Sequence, residues 1–362
     1  MFCYINNILK GDSNIDIFTN TYDPNSLVND FNLLEQTMSD PEQLPSIEND
    51  FLYLAQKKKL KLGVFQLFST MWGLALIDLF HHLSIPVITE VDDYAFGVNT
   101  DNVNYESFNP DSDVIKIIKA QLKDSDALIV STQELKEKYS YLNDKIYIVP
   151  NSIDFKFYSK LKNNKHKSYI NIGWQGASGH KRDLEIIEPV VHRILKKYKN
   201  VRFTFLGGAE GIPESFRNNK RIKLKNMWIT VEKFRKFKAK EGFDIELAPL
   251  FDTEFNRCKS NLRYLEASAL KIPTVASDVG PYKDAVAELC TEESEWYTTL
   301  CTLIGNPEYR KSLGKKAYRD VKKHYNLIDV TEKYLTVLNA EISEHQKRIK
   351  RFKAVTKDLK VD

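Results

Sequence analysis

The sequence predicts an α/β protein built from two doubly wound domains in tandem, facing each other across a cleft. Three observations carry this expectation. Strand-like apolar runs alternate with amphipathic helical stretches, stop, and begin again. A polar segment without period, "NSIDFKFYSKLKNNKHK" (151–167), separates the two series. Charge also changes sign there. Residues 1–150 hold 11 lysines, no arginine and 22 acidic residues, whereas residues 151–362 hold 42 basic and 27 acidic ones. Such a split fits two separately folded halves, the second suited to an anionic ligand, and it equally fits acidic and basic lobes docking on one another. The expected division is 1–150, a linker at 151–167, a second domain at 168–325, and a helical tail at 326–362.

In chain order, a polar opening with a helix near residues 26–38 leads to the strand "KLGVFQLF" (61–68). The amphipathic "STMWGLALIDLFHHLS" follows, with Ser69 as its expected cap. His81 and His82, at its end, read as hydrogen-bonded or surface histidines. "IPVITEV" is a strand, then comes an Asp-rich aromatic loop from Asp92 to about Pro110, and a helix over about 113–123. "DALIVS", the Thr132-capped "TQELKEKY" and "KIYIVP" complete the first series. The second series runs "SYINIGW", a helix over 181–199, "VRFTFLGG", "RIKLKN", a helix near 230–241, "FDIELAPL", a helix containing Glu266, and "PTVASD". Beyond Tyr282 the pattern is mostly helical. Strands alternating with helices imply parallel sheets covered on both faces.

Composition narrows the class. With 42% hydrophobic and 28% charged residues, the 362-residue chain is ordinary for a globular protein. No apolar run approaches the ~18 residues of a membrane span, and the N-terminus lacks the features of a signal peptide. Cys3, Cys258, Cys290 and Cys301 show no CxxC spacing and read as free thiols of a reducing cytosol.

Two stretches carry chemistry. In "NIGWQGASGHKRDLEII" a strand ends near Trp174, Gly173, Gly176 and Gly179 fall in the turn, and a helix begins near Lys181. A glycine turn before a helix offers backbone N–H groups to an anion, and His180, Lys181 and Arg182 add donors or positive charge. The pattern is neither GxGxxG nor GxxxxGK[ST], which argues against a nicotinamide dehydrogenase and a P-loop NTPase. Glycines serving a tight turn alone are the structural alternative. In "LAPLFDTEFNRCKSNLRYLEASALKIPTVASDVGPY" the strand ends near Leu250, and Ser260 is the expected N-cap of a helix with Leu262, Leu265, Ala269 and Leu270 on its apolar face. Lys259 and that helix start form a second anion cradle. Glu266, further along, suits a hydroxyl pair such as a ribose diol, or else lies on a solvated face paired with Arg263. Together these parts describe a pocket for a nucleotide sugar.

These two stretches, with "SDALIVSTQELKEKY" and "KIYIVPNSID", resemble the group-1 glycosyltransferases of the GT-B fold, from about Leu62 to Tyr325. The resemblance implies two tandem Rossmann-like domains, the first binding the acceptor and the second the nucleotide sugar. It implies transfer with retention and no bound metal or other cofactor. It puts Glu266 on the ribose, Lys259 on the diphosphate, and the backbone of Ser260, Asn261 and Leu262 beside the distal phosphate. Gly176, Ser178, His180 and Lys181 line the opposite wall. Many members have a Glu eight residues before the ribose-binding one; here that position is Cys258, with Asn256 or Glu254 as candidate substitutes. In the first domain "TEVDDYAF" resembles an Asp-rich motif facing the cleft. Asp92 or Asp93 would orient or deprotonate an acceptor hydroxyl; a metal pair and an N-cap are the alternatives. Tyr94 and Phe96 would stack on the acceptor, or form a packed lid with Tyr105 and Phe108.

The basic tail "EHQKRIKRFKAVTKDLK" suits an anionic membrane, nucleic acid, or docking onto the acidic first domain. The reading is a cytoplasmic glycosyltransferase, able to lie against a membrane, that acts on a glycan or lipid-linked sugar. Glycosylation of hydroxymethylated viral DNA, a sugar-nucleotide epimerase and a non-catalytic nucleotide-sugar-binding subunit are the alternatives. The sequence sets neither the sugar, the nucleotide, nor the oligomeric state.

Overall fold

The computed structural model describes residues 60–100, 102, 105–164, 168–208, 211–227 and 229–358, leaving aside the side chains of Trp72, Ser178 and residues 352–358. Cys3 and the helix expected near 26–38 lie outside the described residues. The first lobe runs β1 (Gly63–Gln66), α1 (Trp72–His82), β2 (Val87–Val91), α2 (Tyr105–Phe108), α3 (Asp113–Asp124), β3 (Ala127–Val130), α4 (Gln133–Tyr139) and β4 (Ile146–Ile148). Its strands lie parallel in the order β1-β2-β3-β4, with Gly63 beside Val87, Ile88 beside Ala127 and Leu128 beside Ile146. All four β3 residues are buried, as a strand covered on both faces requires.

Helix starts follow local chemistry. The Ser112 and Thr132 hydroxyls accept the Ile115 and Leu135 amides, capping α3 and α4. Ser69 caps nothing. It lies in a bend, and α1 opens three residues later behind Met71 without a side-chain cap.

Within the stretch expected to be a linker, the described residues 151–164 contribute to the core of the second lobe. Asp154 caps a short helix, α5 (Phe155–Tyr158), and Ile153 and Tyr158 are buried in the second core. Its aromatic residues supply the apolar area that its overall polarity conceals. Next come β5 (Ile170–Gly176), α6 (Lys181–Lys197), β6 (Val201–Gly207), α7 (Glu214–Arg217), β7 (Ile222–Lys225), α8 (Val231–Glu241), β8 (Ile245–Ala248), α9 (Glu254–Arg257), α10 (Leu262–Ala269), β9 (Thr274–Ser277) and β10 (Glu288–Cys290). The last strand was not expected. The chain ends in α11 (Glu293–Gly305), α12 (Pro307–His324) and α13 (Leu327–Asp358).

The second sheet is parallel throughout, in the order β10-β9-β8-β5-β6-β7. Six α6 residues at helical spacing, Leu184, Ile187, Val190, Val191, Ile194 and Leu195, are fully buried against Trp174, Phe203 and Phe205. Each such burial contributes about 1.5–3 kcal/mol.

The chain passes between the lobes twice, side by side. The Ile153 amide donates to the Tyr325 carbonyl (2.8 Å), and the Leu327 amide donates to the Ile153 carbonyl (3.0 Å). After the second crossing, α13 lies along the first lobe. Leu327, Val330, Tyr334 and Val337 pack on Ile88, Ala127, Ile129 and Val149. Further along, Lys145 pairs with Glu341 and Glu344 (2.7 Å each), and Arg348 donates to Asp126 (3.1 Å). Among the described residues no helix is long and apolar enough to cross a membrane.

One carboxyl beneath α13 makes this packing sensitive to pH. Burial pushes Glu90 up to about 7, against a hydrogen bond with Tyr334 that lowers it. An acid with a raised folded pKa stabilises the fold fully below its unfolded value near 4.5, and that contribution is lost as pH rises through about 7. Between pH 5 and 8 the urea midpoint of the wild type should therefore fall relative to that of Glu90→Gln. Parallel pH profiles for the two proteins would disprove it.

Candidate functional site

In the second sheet, β6 lies on one side of β5 and β8 on the other, so the direction of winding reverses between β5 and β8. At such a reversal the carboxyl-end loops diverge and leave a crevice, where open α/β sheets bind ligands. The loops here are Gly176–His180 after β5 and Pro249–Thr253 after β8, the two stretches singled out in the sequence. Arg263 on α10 joins them. Its buried guanidinium donates from Nε to the Gln175 carbonyl (2.7 Å) and from Nη1 to the Pro249 carbonyl (3.4 Å). Beside it, Gly207 has φ +124°, and a Cβ there would lie 1.8 Å from the Gly176 carbonyl oxygen. Only glycine fits.

The helix start after Gly176 is built differently from a simple basic rim. Ser178 and His180 form a 3-10 turn, and Lys181 opens α6, exposed. The buried Asp183 carboxylate accepts the Phe251 amide (2.6 Å), the Asn256 amide side chain (3.3 Å) and His180 Nδ1 (2.6 Å). Burial, then the charge of Arg263, pushes His180 down to about 4. The imidazole is neutral, and its Nδ1 proton is committed to Asp183. His180 thus supplies no positive charge. Arg182 lies over the Phe251 ring at 3.9 Å.

Glu266 is neither solvated nor paired with Arg263. It is buried, with Oε1 receiving Arg235 Nε (2.8 Å) and Oε2 receiving Gln175 Nε2 (2.7 Å). Burial raises its pKa, but the charges of Arg235 and Lys238 outweigh this and hold it below the usual range. Lys238 lies one turn from Arg235, 3.2 Å from the fully buried Glu246 on β8. Burial pushes Glu246 up to about 7, Lys238 acting against it. A carboxylate offers about four lone-pair sites, so Glu266 keeps acceptor capacity for two hydroxyls.

The charged stretch holds a short helix before the one expected. α9 ends at Arg257, α10 starts at Leu262 behind Asn261, and Ser260 is not the cap. The Ser260 hydroxyl accepts from Asn151 Nδ2 (2.7 Å), and Asn261 Nδ2 donates to Tyr325 (3.3 Å). Leu262 is exposed, not part of the apolar face. α9 docks on the first lobe: Phe255 and Cys258 join its core beside Val91, Tyr94 and Leu135. The Thr132 hydroxyl donates to the Cys258 carbonyl (3.0 Å), and Lys138 pairs with Glu254. Burial pushes the Cys258 thiol up to about 12. A thiol suits this packed position, where an ionised Glu would be stranded. Neither suggested substitute is free, since Glu254 is paired with Lys138 and Asn256 is held by Asp183 and the Phe251 carbonyl.

Lys259 meets Asp93 across the crevice at 3.6 Å, its ammonium 4.2 Å from the Phe255 ring centroid. The Asp93 side chain stays open to solvent, yet the surrounding protein raises its pKa, with Lys259 opposing the shift. Asp92, beside it, is exposed. No cluster of three or more potential metal-ligating His, Cys, Asp or Glu occurs among the described residues. Tyr94 and Phe96 pack edge-to-face with each other and with Tyr139, and Tyr94 is buried. They form a packed cluster rather than an open stacking surface. The crevice itself is lined by Asn99, Asn102, Arg182 and Phe251.

Sequence reasoning missed Arg235, Gln175 and Asp183. A signal existed for the first: in "VEKFRKFKAKE", Arg235 and Lys238 share a face with the buried Ala239, and a carboxylate, Glu246, interrupts the apolar "FDIELAPL".

No protein-family model and no curated protein matches the chain by sequence. Solved structures do match in fold. TarM superposes with a TM-score of 0.61 at 16% identity, over 80% of this chain and 57% of that one, so this chain spans little more than half of TarM. HepE of Anabaena, solved in complex with UDP-glucose, gives 0.58 at 10% identity over 77% and 79%. The E. coli trehalose-6-phosphate protein, solved with UDP-2-fluoro glucose bound, gives 0.54 at 14% identity over 76% and 72%. With its two parallel-sheet lobes and the reversed strand order of the second, the chain has the GT-B fold of two tandem Rossmann-like domains.

Proposed function

We propose that the chain transfers a sugar, with retention and without a metal, from a nucleoside diphosphate to a hydroxyl-bearing acceptor, a glycan or a lipid-linked sugar, on the cytoplasmic side. The observation that carries this reading is the meeting of Lys259 and Asp93 over the β5–β8 reversal. One lobe brings a cation to where a diphosphate would lie, and the other brings a carboxylate to the acceptor side. UDP-sugar binding by HepE and by the trehalose-6-phosphate protein, which share the fold, supports it.

In this reading the diphosphate replaces Asp93 as the partner of Lys259. Lys259, Lys181 and the amides at the start of α10 stabilise the charge that builds on the leaving group. Asp93, deprived of Lys259, becomes more basic and takes the acceptor proton. Glu266, kept ionised by Arg235, accepts the ribose hydroxyls after the crevice opens enough to admit them. Asp92, Gly176, Ser178 and His180 shape the walls, and Asn256 holds the Phe251 loop in place.

Lys259→Ala should weaken nucleotide-sugar binding at least tenfold by calorimetry, about 1.4 kcal/mol or more. Asp93→Asn should instead lower kcat at least a hundredfold with the donor KM little changed. If both variants turn over a nucleotide sugar like the wild type, the site is misassigned. Arg235→Ala strands the Glu266 charge and should cost about 3 kcal/mol in urea unfolding, with Arg235→Lys less harmful; an unchanged midpoint would contradict the pairing. Transfer measured after EDTA treatment should match the untreated rate, and loss restored by a divalent cation would overturn the metal-independent reading.

A further inference from the structure

A second cavity lies at the opposite pole of the second lobe, at the amino ends of β5, β6 and β7. It measures about 280 Å³, close to the lower bound for small-molecule sites. Four cationic side chains line it, Arg202, Lys220, Arg221 and Lys223, against one carboxylate, Glu241. Lys223 already pairs with Glu241 at 2.5 Å, so the remaining lining charge is strongly positive.

Two of these cations are held in place. The Arg221 Nη1 and Nη2 groups donate to the Tyr198 and Leu195 carbonyls at the end of α6. A guanidinium has five N–H donors, and those two bonds leave others unspent. Arg202 lies over the Tyr169 ring at 4.2 Å. Fixing a long side chain in advance lowers the entropic cost of binding. Below them the floor is buried and rigid: Thr204 donates to Asn171 Oδ1 (2.9 Å), and Asn171 Nδ2 donates to the Glu241 carbonyl (2.8 Å). Like charges gathered in a concavity focus the field on a counter-ion. Capping α6 accounts for Arg221 alone. Stacking on Tyr169 engages the face of the Arg202 guanidinium and not its N–H edge.

We propose that this cavity is a second anion site, distinct from the interlobe crevice, that binds a phosphate group carried by a sugar phosphate or by a phosphate polymer. The two arginines supply directed donors, and Lys220 supplies point charge at the rim.

The test uses the full chain carrying Lys259→Ala, which disables the proposed diphosphate contact, and titrates it by calorimetry with glucose 6-phosphate and, separately, with inorganic polyphosphate. Saturable binding of either probe is expected, at least tenfold weaker after Arg202→Glu and Lys220→Glu are added. Both substituted residues are exposed, and an unchanged thermal midpoint checks that the fold is intact. Binding of glucose 6-phosphate at one site per chain identifies a small phosphorylated ligand, whereas binding of polyphosphate alone identifies a polymer. Absence of saturable binding for both probes, or affinity indifferent to the charge reversal, overturns the proposal. An ineffective Lys259→Ala in the nucleotide-sugar assay leaves this result unaffected, because the two sites lie at opposite ends of the sheet.

Discussion

A single guanidinium holds the diverging strand ends of the second lobe in register. Arg263 sends one N–H to the last turn of β5 and another to the loop after β8, across the point where the strands part. Its positive charge adds to burial in keeping His180 neutral and lies 5.3 Å from the centroid of the Trp174 ring. Take it away and two buried carbonyls lose their donor in the place where the sheet is least supported. Charge gathers at this strand-to-helix junction because diverging loops expose backbone acceptors that neighbouring strands cannot satisfy.

The interlobe contact rests on a different principle. α9 belongs by sequence to the second lobe, yet its buried side chains complete the core of the first. Around it lie polar contacts that cross between lobes, from Thr132 to the Cys258 carbonyl and from Asn99 to Thr253. The apolar insertion supplies adhesion, while the polar contacts set its angle. Lys259 follows directly after this plug, which explains how a second-lobe lysine comes to face a first-lobe aspartate.

Much of the fold was legible because buried parallel strands and amphipathic helices write distinct periods into the chain. Each of the nine runs read as a strand in the described region contains one, and Thr132 caps α4 as its chemistry demands. Failures came where tertiary contacts override local signals. Ser69 and Ser260 are good caps by residue type, but the turns before α1 and α10 place Met71 and Asn261 at those positions. The 151–167 segment is polar on average, while burial is decided by a few side chains such as Ile153 and Tyr158. In the candidate site, residue types pointed to the two loops at the strand reversal and misjudged the partners of their side chains. Nothing local in the sequence tells that Glu266 faces Arg235, thirty-one positions away, rather than Arg263 one turn back.

The paired crossings at Ile153 and Tyr325–Leu327 have a mechanical consequence. Two chain segments bonded edge to edge resist shear and separation, but they twist readily about their common line. Asn151 and Tyr325, at these crossings, also hold Ser260 and Asn261, so the start of α10, with Lys259 just before it, is tied to the same line.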